Sequence, residues 1–143
     1  MKRLSAPSEF SEQAALCQWW AIACRKWKVP EMALFAIPNG AVLAGDAKHR
    51  AIQMSRLKAT GLRPGVPDLM LAVPLYTTSL SGTHTMHAAG LFIEQKRKPN
   101  KPSEDQLAMA TMLRGAGFDV CICYSADEGI RAISGYLNGQ PAR

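Results

Sequence analysis

Two short apolar runs each deliver polar side chains to one end. Asp68 follows Gly65-Val66-Pro67 and opens the run Leu69-Met70-Leu71-Ala72-Val73, while Glu94 and Lys96 close the run Gly90-Leu91-Phe92-Ile93. On a strand, residues i and i+2 share a face, so Glu94 and Lys96 point the same way. If the two runs are neighbouring strands, Asp68 and Glu94 meet. Carboxylates brought together repel and lose hydration unless a cation lies between them. Oxygen ligands at a strand end suit Mg²⁺ or Mn²⁺, which take octahedral sites shared with water and phosphate. The main-chain carbonyl of Gln95, between Glu94 and Lys96, adds a further hard oxygen. Beside such a cation, Lys96 brings a charge and movable donors to an attacking water and to charge developing at phosphorus. A lone Glu-x-Lys triplet is common by chance, and an Asp before a strand is often a turn residue. The weight lies in the apolar runs that position all three.

Cations flank this candidate centre on both sides in sequence. Lys48, Arg50, Arg56, Lys58 and Arg63 precede Asp68, and Arg97, Lys98 and Lys101 follow Lys96. The chain carries a formal charge of +6 and a pI near 9.4, which favours polyanions: nucleic acid first, an anionic membrane surface as the rival. Phosphate recognition needs cations around the scissile bond, so Lys58, Arg63, Arg97, Lys98 and Lys101 are the candidate DNA contacts. Weaker constellations resolve to bland roles. His84 and His87 lack a third metal ligand at suitable spacing. His49 belongs to the basic face of a helix. Trp20 and Trp27 fall at helical core spacing, which leaves Trp19 for a surface. Gly61 to Gly65 lacks the lysine and hydroxyl of a phosphate-binding loop. Cys17 with Cys24, and Cys121 with Cys123, read as reduced core residues on a helix face and a strand face.

The elements that must hold these residues follow from periodicity and punctuation. A helix starts at the Ser8 cap and is ended by Pro30. Met32 to Ile37 reads as a strand, followed by a Pro38-Asn39-Gly40 turn. A second helix runs from Gly45 or Asp46 to Thr60, with Gly61 at a left-handed C-terminal position. Asp68 to Val73 is a strand buried on both faces. Residues 74–89 form a long surface loop or a hairpin tip. Gly90 to Lys96 is a strand, Ser103 caps a third helix that closes at Gly115 to Gly117, Phe118 to Tyr124 is a strand, and Ala126 to Leu137 is the last helix. This alternation predicts an α/β sheet sandwiched by helices. The expected boundaries are a tail over 1–8, one domain over 9–137 and a tail over 138–143. With no apolar run near ~20 residues and no signal-like stretch, the expectation is a cytoplasmic protein away from membranes.

Leu57-Lys58-Ala59-Thr60-Gly61-Leu62-Arg63-Pro64-Gly65-Val66-Pro67-Asp68-Leu69 resembles the signature of VRR-NUC nucleases. So do Leu91-Phe92-Ile93-Glu94-Gln95-Lys96-Arg97 with Gln106 downstream, and Ser11-Glu12-Gln13 with Ile37-Pro38-Asn39-Gly40 upstream. The resemblance runs from about Glu9 to Leu137. It implies a restriction-endonuclease-like, PD-(D/E)xK central mixed sheet flanked by helices, akin to archaeal-type Holliday junction resolvases. It further implies metal binding by Asp68, Glu94 and the Gln95 carbonyl, with Lys96 catalytic. Glu12 matches an acidic residue that reaches toward the metal, and it reads equally as a helix-start acid. Gln106 matches a glutamine close to the lysine, and it also reads as an ordinary polar helix position. The expected activity is metal-dependent, structure-specific cleavage of branched DNA, since no sequence-reading module is visible. Paired nicks in a junction call for two centres, and stand-alone members of the family are homodimers. The alternatives are a non-catalytic DNA-binding module on the same fold, and a binder of anionic surfaces.

Overall fold

The computed structural model describes residues 7–38 and 43–140. The expected tails therefore lie partly outside it, and so do Asn39 and Gly40 of the predicted turn. Helix α1 spans Glu9–Ala23 and is capped by Ser8, whose hydroxyl accepts from Ser11 N–H. A 3-10 segment, Cys24–Trp27, continues it to a left-handed Lys28. Another 3-10 turn covers Glu31–Ala33, so strand β1 is only Leu34–Ala36, shorter than the predicted Met32 to Ile37. Pro30 accounts for this, because its fixed φ starts a tight turn rather than a ladder.

Helix α2 is Ala47–Ala59, capped by Asp46 on His49 N–H. Gly61 follows with φ of 104°, as its position past the helix end predicts. Strand β2 is Leu69–Leu71, with Leu69 and Leu71 buried and Met70 half-buried, so it is fully covered on one face only. Residues 74–89 form a hairpin, β3 (Leu75–Thr78) against β4 (His84–Ala88). Then come β5 (Leu91–Gln95), α3 (Glu104–Gly115), β6 (Asp119–Cys123) and α4 (Ala126–Leu137).

The sheet order is β1-β2-β5-β6. Pairs β1/β2 and β2/β5 are antiparallel and β5/β6 is parallel, which makes the sheet mixed. Because a strand alternates its faces, β5 serves two cores. Leu91 and Ile93 join Leu16 and Trp20 of α1 and Ile133 and Tyr136 of α4. Phe92 joins Ala110 and Leu113 of α3 and Val120 of β6. Cys121 and Cys123 are buried on the α1/α4 side with their sulfurs 3.7 Å apart, and Cys24 is buried too, while Cys17 is half-buried. Trp19 departs from its expected surface role. It is half-buried, with ring centroids 6.3 Å from Trp20 and 6.2 Å from Trp27. Helix α2 buries none of its residues.

Candidate active site

The site grows out of the β2/β5 register. Leu69 pairs with Ile93, so one further step brings Asp68 level with Glu94. Asp68 is fixed from two directions. Its carbonyl accepts Ile37 N–H at 2.8 Å, and its Oδ2 accepts Gln95 N–H at 2.8 Å. The carboxylate thus takes a main-chain donor at the mouth of the β2/β5 pair. The loop before it is held close to α3. Gly65 has φ of 81°, and a Cβ there would stand 2.3 Å from the Asp105 carbonyl oxygen. Glycine alone satisfies both constraints.

Glu94 is buried, at 4% exposure, and Gln95 is buried at 1%. Glu94 Oε1 receives Lys96 Nζ at 2.9 Å and Gln106 Nε2 at 2.5 Å. Gln106 is oriented by a capping box: its Oε1 accepts Ser103 N–H at 2.8 Å, which turns its amide nitrogen to Glu94. Lys96 N–H donates to the Cys123 carbonyl at 2.8 Å, and the Gln95 side-chain nitrogen donates to the same oxygen at 3.2 Å. The strand ends of β5 and β6 are cross-tied where the chemistry would sit. Gln95 Oε1 is buried and without a hydrogen-bond partner.

Burial pushes the Asp68 carboxyl above its ordinary range, against the Gln95 amide and the Lys96 charge that favour the anion. Burial also raises Glu94, with the Asp68 and Glu9 charges adding to it and Lys96 opposing. For Lys96, burial lowers the ammonium, but its hydrogen bond to Glu94 and the charges of Glu94, Glu9 and Asp68 outweigh this and raise it. The three groups hold the Lys96–Glu94 ion pair plus the half-buried Asp68 carboxyl.

The structure brings Asp68, Glu94, Gln95, Lys96 and Gln106 together. Glu12 lines the cleft beside Lys96, with its Oε2 accepting Ala126 N–H at 2.6 Å at the start of α4, and makes no hydrogen bond with Asp68 or Glu94. Glu9 is the acid whose charge reaches the centre, with its Oε1 on Arg97 N–H at 2.9 Å. Sequence reading singled out the other one. Glu9, Glu12, Leu16 and Trp20 follow one another at helical spacing, so phase turns both acids toward the sheet and only height along the helix separates them. Among the described residues no three His, Cys, Asp or Glu side chains are grouped to hold a metal ion. Two carboxylates are nonetheless a fitting donor set for Mg²⁺, which is held by one or two carboxylates with water and substrate phosphate completing the shell.

Of the candidate DNA contacts, Arg97 and Lys98 border a cleft beside Lys96, and Lys58 and Arg63 border another between the end of α2 and Asp105. Lys101 lies exposed in the loop before α3. One aromatic at the site escaped the sequence reading. Tyr124 follows Cys123, which pairs with Gln95, so it comes beside Lys96. The parallel register was the missing signal, since sequence alone does not say which strand neighbours β5.

A mixed sheet flanked by helices, with paired acids and a lysine at one end, defines the restriction-endonuclease-like fold. A solved structure described as a VRR_NUC domain protein shares it, with 18% identity, TM-score 0.71, and coverage of 98% of this chain and 96% of that one. Comparison with curated proteins returns no match. The VRR-NUC domain family matches residues 9–127, and the chain belongs to that family of nucleases.

Proposed function

We propose that this chain is a metal-dependent endonuclease that hydrolyses phosphodiester bonds in DNA, with branched DNA such as a Holliday junction as its preferred substrate. The observation that carries the reading is the level placement of Asp68 and buried Glu94 beside the Lys96 ammonium. Asp68, Glu94 and the Gln95 carbonyl would hold Mg²⁺ or Mn²⁺, which supplies Lewis acidity and a more acidic bound water. Lys96 acts as a cation, with its ammonium 2.9 Å from Glu94 Oε1. It keeps an attacking water oriented and offsets charge gathering on the phosphoryl oxygens. Gln106 locks Glu94, and Glu9 holds the main chain at Arg97 so that the lysine stays in place.

The cations that line two clefts, Arg97 and Lys98 in one and Lys58 and Arg63 in the other, support backbone recognition of DNA. A homodimer fits the apolar side chains left exposed on edge strand β1 and on α2, Phe35 at 46% and Ile52 at 44%. The test is cleavage of four-way junction, flap and linear duplex DNA with Mg²⁺ or Mn²⁺, set against EDTA and paired with light scattering. We expect metal-dependent cutting, strongest on the junction, by a two-subunit species. Tight DNA binding without cutting under any metal would instead leave a non-catalytic binding module.

A further inference from the structure

A cleft of about 250 Å³ opens beside Lys96, lined also by Arg97, Lys98, Tyr124, Glu12 and Glu128. It is smaller than the roughly 300–1,000 Å³ of sites for drug-sized ligands, a size for one base with its phosphate. The main chain that carries the ring is held, since Tyr124 N–H donates to Glu128 Oε2 at 2.8 Å. The two carboxylates in its lining are each engaged with a main-chain N–H of the turn into α4, Glu128 with Tyr124 and Glu12 with Ala126. Lys98 lies over the ring, its Nζ 5.6 Å from the centroid, so a base stacking on that face moves the ammonium aside to the phosphate the base carries.

An aromatic face next to paired cations is the chemistry that recognises a nucleotide, with the base stacked on the ring and the phosphate on the cations. Inside a duplex both faces of a base are covered by its neighbours, so the ring can receive only an unpaired or frayed base. We infer that Tyr124, with Arg97 and Lys98, forms a subsite for an unpaired nucleotide of the DNA strand, next to the phosphate held at Lys96. The inference rests on the endonuclease reading for the identity of the strand. It assigns Tyr124 a specificity role, directing the enzyme to discontinuities where a base is free.

The test separates stacking from cutting. A flap carrying 2-aminopurine at successive positions across the single-strand boundary is titrated with protein in EDTA, where nothing is cleaved. We expect emission to be quenched at one or two adjacent positions by the wild type and by Tyr124→Phe, and not by Tyr124→Leu. An abasic residue at the quenched position should weaken wild-type binding about tenfold, the scale of one lost base–aromatic stack. Equal quenching by Tyr124→Leu, no quenching at any position, or unchanged affinity for the abasic flap would each overturn the subsite. So would quenching of free 2-aminopurine nucleotide but not of the flap. Normal quenching with no cleavage in Mg²⁺ or Mn²⁺ would sink the nuclease proposal and leave the subsite standing.

Discussion

The two ends of the central sheet are built from the same strands and treated in opposite ways. At the end where β5 and β6 finish, polar groups are buried and cross-tied: Asp68 to Gln95, Glu94 to Gln106 and Lys96, and Gln95 and Lys96 to Cys123. At the other end, the β3/β4 hairpin leaves the sheet with Tyr76 and Met86 both 53% exposed and no Asp, Glu, Lys or Arg between Pro74 and Ala89. A buried polar group without a partner is costly, and at this end neighbouring groups satisfy these polar atoms except Gln95 Oε1. The candidate chemistry lies where polar burial is densest, not where the chain projects furthest.

The strongest way to break this contrast is to remove one carboxylate. Asp68→Ala or Glu94→Ala should lower the cleavage rate by roughly 10²–10³-fold or more, the scale of losing one preorganised electrostatic group. Circular dichroism should still report the folded protein. Full activity in either variant would place the chemistry elsewhere.

Gly65→Ala probes the loop that carries Asp68. The residue sits at φ 81° and its Cβ would collide with the Asp105 backbone. Left-handed strain in a non-glycine residue costs about 1–3 kcal/mol, and the collision adds to it. The larger consequence is displacement of the Asp68 loop from the helix whose Gln106 holds Glu94. Assayed well below its lowered Tm, the variant should still cut more slowly than wild type. Normal cutting under those conditions would show that the close approach serves stability alone.

Metal-free stability should fall with pH at the centre. Burial raises Asp68 above the ordinary carboxylate value, so between the unfolded value of about pH 4 and the raised folded one the native state binds more protons. Stability from that group is fully present below the unfolded value and is lost as pH rises through the folded one. Asp68→Asn lacks this titration. In EDTA its Tm advantage over wild type should widen from pH 4.5 toward neutrality, and Mg²⁺ should then raise the wild type more than the variant. An advantage that shrinks with rising pH would mean the anion is already stabilised without metal.

Much of this was legible in the chain. Punctuation by Ser8, Asp46, Gly61 and Ser103 marks helix ends because caps act locally, and the i, i+2 rule aligns Glu94 with Lys96 from spacing alone. What was hidden depends on register and height between distant segments. The β5/β6 pairing that sets Tyr124 beside Lys96 is one case. The choice between Glu9 and Glu12 is another. Trp19 also eluded a two-face reading of its helix, since the 3-10 continuation brings Trp27 round to cover it.

The smallest effect is expected from the hairpin. Only its base is packed, with Ala88 buried and Leu75 half-buried against the main core. Its outer part is tied internally, by Thr77 to His87, Thr78 to His84 and the Ser79 turn. Replacing residues 76–87 with a short glycine turn should leave the four-stranded sheet intact and cleavage within about twofold, since loop shortening changes closure entropy by only tenths of a kcal/mol to ~1 kcal/mol. The salt dependence of DNA binding gives the sharper readout. Each phosphate contact contributes a slope near 0.9 in log affinity against log salt. Lys98→Ala with Lys101→Ala removes cations near the centre and should flatten that slope, whereas the hairpin has none to remove and its loss should leave the slope unchanged. A flatter slope without the hairpin would put DNA on the far end of the sheet and collapse the distinction between the two ends.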